Sequence, residues 1–256
     1  MSRITVDEDA CLRDGACVDV CPARAIAFND DGLPEDVPES GCILCGHCVA
    51  VCPSLALHHG GLPEDAFLPA QNTWPAPAAT DAFLKERRSV REFTSEPVAR
   101  ETMLALLDIA RRAPTASNTQ KLHWIVVTGR EQVHAIAQKI VEGGMHPKLV
   151  AQWDAGYDFA LRGAPTLVVA CAPADYVWGT EDGAIALTYL ELAAEARGIG
   201  VCWAGYLTRM AATYEPLQKA LAVPAGYVVR GGLMLGEGTH AYGRVPSRKP
   251  LSVQWN

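Results

Sequence analysis

The strongest constraint on this chain is a run of four cysteines that begins at Cys42 and ends at Cys52-Pro53, with the spacing C-x-x-C-x-x-C-x-x-x-C-P. In bacterial iron–sulfur proteins with this spacing, the first three thiolates hold one cluster and the fourth ligates a second cluster. The run therefore predicts that Cys42, Cys45 and Cys48 share a 4Fe-4S cluster. It also predicts that Cys52 serves another cluster, whose remaining ligands must lie elsewhere in the chain.

A second run lies upstream in the same frame, from Cys11 to Cys21-Pro22, with Asp14 where the second cysteine would stand. Exchange of the fourth ligands predicts two sets: Cys42, Cys45, Cys48 and Cys21 for one cluster, and Cys11, Cys17 and Cys52 with Asp14 as candidate fourth ligand for the other. A carboxylate is a harder ligand than a thiolate. Three states are open for the iron next to Asp14: Asp14 binds this iron, water binds it, or the iron is lost and a 3Fe-4S cluster remains.

The two runs together resemble a bacterial-type two-cluster ferredoxin domain. A zinc site is disfavoured because structural zinc takes one group of four ligands, whereas this pattern supplies two interleaved groups. Disulfides are disfavoured because seven of the nine cysteines fall in the runs, which need reduced thiolates. The same need for thiolates, the lack of an apolar signal segment after Met1 and the lack of a membrane-length apolar run predict a cytoplasmic protein without membrane contact.

Charge is concentrated at the N-terminus. Residues 1–60 contain ten acidic and three basic residues, so the whole formal net charge of −7 lies there. This acidic balance argues against a nucleic-acid partner, which would require a basic face. An acidic surface could attract a basic electron donor such as a ferredoxin, or it could serve solubility alone.

The chain is predicted to contain a small domain over residues 1–60, a Pro/Ala-rich linker over 61–80 and a larger domain over 81–256. Strands are predicted at 4–6, 25–28 and 54–59 around the cysteine runs. The four prolines between Gly60 and Ala79 predict a semi-extended linker without a regular helix.

Beyond the linker, apolar periodicity predicts helices that alternate with strands. Helices are predicted over 81–88, 98–112, 131–142 and 181–197, the last buried on most faces. Strands are predicted over 122–128 and 166–172, both buried because their apolar runs are continuous, and over 201–207 and 227–235, with a bulge at Gly231-Gly232. This content predicts an α+β fold for both domains.

Two stretches carry the candidate chemistry of the larger domain, which has no G-x-G-x-x-G or P-loop motif. The first contains Arg87, Arg88, Ser89 and Arg91, whose guanidiniums suit phosphate oxygens, although such a run also suits a solvated face. The second, residues 113–120, offers hydroxyl, amide and backbone groups for a polar heterocycle.

These stretches resemble the FMN-dependent nitroreductase family over residues 81–256. The family's phosphate-binding run matches residues 87–91, and its A-P-S-x-x-N-x-Q run matches 113–120 with Thr115 in place of Ser. Gly163-Ala-Pro165, the helix that ends at Gly200, Trp203-Ala-Gly205 and Ser247-Arg248 add to the likeness.

The resemblance implies an α+β homodimer, with a mixed sheet and surrounding helices, that binds FMN at its interface. The implied contacts to ribityl and phosphate are Arg87, Arg88, Ser89, Arg91 and Arg248. The implied contacts from the other subunit are Pro114, Thr115, Ala116 and Asn118, with Gln120 in the same run, and the backbone of Ala204 and Gly205 would face flavin N5. No side chain is identified as a catalytic acid or base.

The two predicted domains together indicate an oxidoreductase that passes electrons from a low-potential donor, such as a ferredoxin, through the clusters to FMN. The acceptor would be a small molecule: a nitroaromatic, a quinone or an activated alkene. Two alternatives are open: NAD(P)H reduces FMN directly and the clusters are accessory, or the protein is a non-catalytic electron-transfer or redox-sensing module.

Several other residues are candidates of lower rank. Cys171 and Cys202 are predicted to be buried and unreactive. Trp153, Tyr157 and Phe159 could line a substrate pocket, although core or interface packing is favoured. His47 is expected to bond a cluster sulfur or face solvent, and His58, His59, His123 and His240 lack metal-ligand spacing.

Overall fold

A computed structural model describes residues 2–144 and 146–256. The chain forms two compact units. The first contains residues 1–74 and 117–119, and the second contains 75–116 and 120–256.

The first unit consists of two strand pairs and two short helices. Its elements are β1 (Ile4–Val6), α1 (Ala16–Asp19), β2 (Ile26–Phe28), β3 (Pro34–Asp36), α2 (His47–Val51) and β4 (Leu57–His59). Strands β1 and β4 pair antiparallel, as do β2 and β3. The predicted strands at 4–6 and 54–59 are thus the two partners of one pair. The buried apolar cluster of this unit contains only Ile4, Cys17, Ile26 and Leu57 among the described residues, so we expect bound clusters to supply much of its stability.

The linker prediction is wrong at its C-terminal end. Helix α3 spans Pro77–Glu86 rather than starting at 81, and a single 3-10 turn lies at Glu64–Ala66. Proline lacks the N–H that a first-turn residue would leave unbonded, and its fixed φ suits a helix. Pro77 therefore begins the helix that the linker prolines were expected to prevent.

The second unit wraps helices around a four-stranded sheet. After α3 come α4 (Arg100–Ala110), a 3-10 turn at Ala116–Asn118, β5 (His123–Thr128), α5 (Arg130–Glu142), α6 (Pro147–Asp154), β6 (Thr166–Pro173), α7 (Gly179–Glu195), β7 (Gly200–Trp203), α8 (Gly205–Ala211), α9 (Glu215–Ala220) and β8 (Tyr227–Gly236). The strand order is β5-β6-β8-β7, and all three pairs are antiparallel. A parallel bridge joins Ser89 to Val201 beside β7.

The sheet separates two apolar clusters. Strand β6 lies centrally and is buried along almost its whole length, because its continuous apolar run packs on both faces. One face carries side chains of α5, α8 and α9, and the other carries α4 and α7. This arrangement confirms the predicted α+β fold.

Three details of the sheet differ from the sequence expectations. Strand β5 is an edge strand and is only half buried. The strand expected over 201–207 ends at Trp203, and helix α8 begins at Gly205. The bulge falls at Arg230, one residue before the predicted glycine pair, where the register with β6 shifts between Ala170 and Cys171.

Helix α7 buries one side and exposes another. Leu187, Leu190 and Ala194 are fully or almost fully buried, while Ile185 and Tyr189 are 38% and 41% exposed. The expectation of burial on most faces is therefore wrong for the single chain.

Among the described helices, none combines the length and apolarity needed to span a bilayer.

Candidate functional site

The two predicted cluster-ligand sets line two separate cavities of the first unit. One cavity is lined by Cys21, Cys42, Cys45 and Cys48, together with apolar residues that include Ile4 and Ile26. The other is lined by Cys11, Asp14, Cys17 and Cys52, together with Val6 and Leu57. The fold thus brings each set together in the exchanged pairing expected from the sequence.

The two ligand loops repeat one backbone conformation. Arg13 and Leu44 both have positive φ, of 55° and 52°, and Gly15 and Gly46 follow with 80° and 74°. Each glycine is the N-cap of the short helix that carries the third cysteine of its run. A Cβ at Gly46 would be strained by this φ and would lie 3.2 Å from the Phe67 ring. Since the loops match, Asp14 occupies the backbone position that corresponds to Cys45.

The cysteine side chains of each set lie close together, and this changes the pKa of their thiols. Burial raises the pKa of Cys48, and the nearby Cys21 and Cys45 raise it further. In the other set, burial raises the pKa of Cys17, and Cys52 and Cys11 act in the same direction. Burial also acts to raise the pKa of Cys52, but hydrogen bonds from the Ser54 hydroxyl and from nearby backbone N–H groups outweigh it, so that pKa is lowered. Bound iron removes the cost of gathering these thiolates, because it coordinates the deprotonated form.

Both cavities fit an iron–sulfur cluster in their donor chemistry. Thiolate sulfur is the ligand such clusters use, and the Ala25 N–H lies 3.2 Å from Cys21 Sγ, where it can donate to a ligated sulfur. No group of three His, Cys, Asp or Glu side chains among the described residues converges on a single-ion site. A 4Fe-4S cluster needs no such convergence, because each of its protein ligands binds a different iron.

His59 is a functional candidate that the sequence analysis did not identify. Its side chain is buried, and its Nε2 lies 3.6 Å from Cys42 Sγ. Its Nδ1 accepts a hydrogen bond of 3.0 Å from the Gly61 N–H. Because Nδ1 accepts, the proton of the neutral ring is on Nε2. The ring therefore presents a donor to the sulfur of a predicted cluster ligand.

Replacement of His59 by Leu is expected to lower the reduction potential of the cluster near Cys42. A donor to a ligand sulfur stabilises the more negative, reduced cluster more than the oxidised one. A difference of about 1.4 kcal/mol shifts a one-electron potential by about 59 mV, so we expect a decrease on the order of 50 mV in an EPR-monitored redox titration. His58→Leu is the matched control, since His58 faces Glu64 instead. Equal potentials for His59→Leu and wild type would contradict this role.

Asp14 makes a local contact in its loop. Its Oδ1 accepts a hydrogen bond of 3.1 Å from the Ala16 N–H, and its side chain is exposed. Among the described residues, no hydrogen bond is seen to the second carboxylate oxygen, which leaves it free to coordinate an iron at this corner of a bound cluster.

In the second unit, Arg87 lies beside a buried acid that the sequence analysis missed. Its guanidinium donates to Glu191 Oε1 at 2.8 Å, and the Trp203 indole N–H donates to Glu191 Oε2 at 2.9 Å. The Glu191 side chain is only 7% exposed and that of Arg87 is 24% exposed. The pair joins α7 to the predicted phosphate run over a separation of 104 residues. No local pattern could have revealed the pairing, because Arg87 and Glu191 lie on separate segments that meet only in the folded chain.

The rest of the predicted phosphate run lies at the surface near β7. Ser89 bridges to Val201 through its backbone, and Arg91 Nη1 donates to Ser89 O at 3.3 Å. Arg88 donates to the carbonyls of Lys85 and Glu86. Arg248 is exposed in a C-terminal segment without regular structure, and among the described residues it makes no hydrogen bond or ion pair.

The predicted heterocycle stretch is held by several polar contacts. In the second unit, the Thr115 hydroxyl accepts from the Gln120 N–H, and Asp182 Oδ1 accepts from the Ala116 N–H. Asp182 is buried and also accepts from the Tyr176 hydroxyl. In the first unit, the Asn118 amide donates to the carbonyls of Ile43 and Leu44. The predicted roles of Pro114, Thr115, Ala116, Asn118 and Gln120 toward the flavin stay predictions.

A cavity of about 340 Å³ opens where β7 meets α8. Its lining contains Arg91 and Gly205, to which the sequence resemblance assigns flavin contacts, and also Phe159, Arg162, Trp203, Tyr206 and Arg209. Cationic and aromatic side chains around one cavity fit planar or anionic ligand groups, such as the flavin ring. The Ala204 N–H is already donated to Gly232 O at 2.8 Å, so only Gly205 of the predicted pair retains a backbone donor for flavin N5.

The two remaining cysteines behave as predicted. Cys171 is fully buried, and burial raises the pKa of its thiol to about 11. Cys202 is 6% exposed, and burial raises its pKa although the nearby Arg91 and Arg162 act to lower it. Both are therefore thiols of low reactivity. Phe159, named as a pocket candidate, does line the cavity, while Trp153 stacks on His134.

Comparison with known proteins finds two family models that match successive parts of the chain. Residues 84–237 match the model of the nitroreductase family, and residues 3–53 match a 4Fe-4S dicluster domain. The chain is 28% identical over 155 residues to an Archaeoglobus fulgidus protein named putative NADH dehydrogenase/NAD(P)H nitroreductase, a match that covers 59% of this chain and 80% of that protein.

A second relative matches more closely over a shorter stretch. The chain is 43% identical over 70 residues to a Nocardioides 4-nitrobenzoate reductase, which covers 27% of this chain and 28% of that protein. Among solved structures, a Desulfitobacterium hafniense nitroreductase with bound FMN superposes with a TM-score of 0.57 at 25% identity, over 68% of this chain and 98% of that chain.

The family match covers more than half of the chain, and the enzyme class predicted from the sequence, an FMN-dependent oxidoreductase, agrees with it. The predicted two-cluster domain agrees with the N-terminal match. The chain therefore belongs to the nitroreductase family and carries a 4Fe-4S dicluster domain ahead of its nitroreductase domain.

Proposed function

We propose that the protein takes electrons from a low-potential donor such as ferredoxin, passes them through two iron–sulfur clusters to FMN, and reduces a small organic acceptor. The observation that carries this proposal is the presence, in one nitroreductase-family chain, of two cavities each lined by one predicted cluster-ligand set. Clusters transfer single electrons, and FMN, when bound, accepts them singly and delivers them in pairs. Such a chain suits a one-electron donor and a two-electron acceptor.

Within the second unit, Arg87, Arg88, Ser89 and Arg91 would hold the ribityl and phosphate groups, with Arg248 as a further cation. The Glu191 carboxylate holds the Arg87 guanidinium in one orientation before any ligand arrives, which reduces the conformational entropy lost on binding. The Gly205 backbone N–H would face the reacting edge of the flavin.

The acceptor we propose is a nitroaromatic, with quinones and activated alkenes as further candidates. The named activity of the Nocardioides relative supports a nitroaromatic. Two electrons and two protons convert a nitro group to a nitroso group with release of water. The described residues that line the cavity include no carboxylic acid or histidine, so we expect the protons to come from solvent.

The protein is proposed to act as a homodimer in a reducing compartment such as the cytoplasm. Helix α7 and the segment before it expose apolar side chains: Val177, Trp178, Ile185 and Tyr189. A second copy of this chain would cover such a face, as the resemblance implies. The cysteine ligands must stay reduced to bind iron.

The test is an anaerobic absorbance titration of the cluster-loaded, FMN-loaded protein with reduced ferredoxin and, separately, with NAD(P)H. We expect reduced ferredoxin to bleach both the cluster and the flavin bands, and a nitroaromatic to restore them. Bleaching of the clusters without the flavin would contradict the proposed electron path.

A second candidate is direct reduction of the flavin by NAD(P)H, with accessory clusters. The name of the Archaeoglobus relative favours it. It predicts that NAD(P)H bleaches the flavin at the same rate in protein from which the clusters have been removed.

Replacement of Asp14 by Cys is expected to complete the second ligand set. The variant should hold eight irons per chain, because a fourth thiolate then fixes the corner iron. If the native corner iron is labile, mild oxidation should convert the wild-type cluster to a 3Fe-4S form with its EPR signal, and the variant should resist this conversion. Asp19→Cys, at an exposed position of α1, controls for the added thiol. Equal oxidation sensitivity in wild type and Asp14→Cys would show that the iron beside Asp14 is not held more weakly than one bound by cysteine.

A further inference from the structure

One wall of the cavity at β7 and α8 consists of two arginines and two aromatic rings. We call Phe159, Arg162, Tyr206 and Arg209 the arginine–aromatic wall. The Arg162 guanidinium lies 4.0 Å above the centre of the Phe159 ring, and the Phe159 and Tyr206 rings are 5.9 Å apart. Tyr206 and Arg209 stand three positions apart on α8, so they share one side of that helix.

The charge on this wall is not neutralised by direct ion pairs. Among the described residues, neither Arg162 nor Arg209 forms a salt bridge with a carboxylate. Within the part of the chain that the structure describes, the one hydrogen bond seen for the Arg162 guanidinium goes to the Tyr157 hydroxyl at 3.0 Å, and that hydroxyl donates in turn to Glu92 at 3.3 Å. Lys148 adds a further cation, 4.7 Å from the centre of the Phe159 ring. A stacked guanidinium keeps its edge N–H groups available for an anion.

We propose that Arg162 and Arg209 bind the carboxylate of an aromatic acceptor whose ring lies beside Tyr206. Two forked cations in a partly enclosed cavity suit a planar carboxylate, which accepts two parallel hydrogen bonds from one guanidinium. The half-buried Tyr206 ring supplies a flat surface of aromatic size. The substrate class is therefore an aromatic acid that also carries the reducible group.

This inference rests on the proposed function, since it requires an acceptor beside the flavin. The resemblance assigns FMN contacts to Arg91 and Gly205 in the lining of the same cavity, and to Arg87 outside it. It assigns none to Arg162 or Arg209. These two arginines therefore distinguish among acceptors, while the phosphate run serves the cofactor.

The first measurement is calorimetric binding of benzoate and benzamide to the FMN-loaded protein. Neither ligand carries a nitro group, so binding is measured without turnover. We expect benzoate to bind about tenfold more tightly than benzamide, which has nearly the same shape without the charge. In Arg162→Gln/Arg209→Gln this preference should disappear. Arg112→Gln, which removes one exposed positive charge elsewhere, should keep it.

Kinetics and cofactor binding complete the test. With 4-nitrobenzoate and 4-nitrobenzamide as acceptors, the double variant should raise KM for the acid alone. Arg162→Lys, which keeps a charge in place, should retain part of the preference. The dissociation constant for FMN, measured by fluorescence quenching, should stay within about twofold in every variant. A wild-type protein that binds both ligands equally would overturn the proposal.

A double variant that loses FMN and keeps the benzoate preference would also overturn the proposal, because the arginines would then serve the cofactor. Failure of the proposed electron path is distinguishable. In that case reduced ferredoxin drives no turnover, while benzoate still binds more tightly than benzamide.

Discussion

Replacement of Cys45 by Ala is expected to remove the cluster of the first cavity and to abolish most donor-driven turnover. Cys45 is one of the four cysteines that line this cavity, and alanine offers no ligand for the iron it would bind. We expect the iron content to fall by about half. Turnover with reduced ferredoxin should fall by at least about 100-fold, equivalent to about 2.7 kcal/mol in activation free energy. Iron analysis and the anaerobic ferredoxin assay measure the two effects.

The effect should be confined to cluster chemistry. Cys171→Ala serves as control, since Cys171 is buried in β6 and lies outside both cavities. It should keep the full iron content and the ferredoxin-driven rate, at a modest cost in stability. FMN should still bind to Cys45→Ala, because the phosphate run is in the second unit. Full ferredoxin-driven turnover in Cys45→Ala would show that electrons do not pass through this cluster.

Replacement of Arg87 by Met is expected to destabilise the second unit strongly and to weaken FMN binding. The Glu191 carboxylate would remain buried with the Trp203 indole N–H as its one described hydrogen-bond donor. Removal of one partner from a buried ion pair costs about 3 to 5 kcal/mol, and the lower end applies because Arg87 is 24% exposed. Urea unfolding should therefore show a loss of about 3 kcal/mol.

The double variant Arg87→Met/Glu191→Leu separates the two roles of Arg87. An apolar pair of similar volume can replace a buried ion pair at little cost, so most of the stability should return. FMN affinity should not return, because the guanidinium is still missing. We expect the FMN dissociation constant to stay at least about tenfold above the wild-type value. A double variant that binds FMN as tightly as wild type would show that Arg87 is not a phosphate ligand.

Local sequence was sufficient to predict the loops and helices that depend on residues close together in the chain. The spacing of Cys42, Cys45 and Cys48 indicates one ligand loop, and the equivalent positive φ values at Arg13 and Leu44 show that the upstream run adopts the same conformation. Helices α4, α5 and α7 were predicted within about two residues because their apolar periodicity extends over several turns.

Local sequence failed where a neighbouring element decides the outcome. The apolar run after Val201 reads as a continuous strand, but the chain turns at Ala204, whose N–H bonds to Gly232 on β8. Similarly, the apolar run of β5 suggests a buried strand, and only its place at the sheet edge leaves it half exposed. Burial depends on strand order, which sequence periodicity does not encode.

The sequence by itself determined the family and the presence of a dicluster domain ahead of the nitroreductase domain, and it predicted the two cluster-ligand sets, because each rests on short motifs with a characteristic spacing. Only the tertiary structure placed His59 beside Cys42, Glu191 beside Arg87, and Arg162 in one wall with Arg209. These pairs are 17, 104 and 47 residues apart. Contacts over such separations arise from the packing of whole elements, and no local residue pattern specifies which side chains will meet.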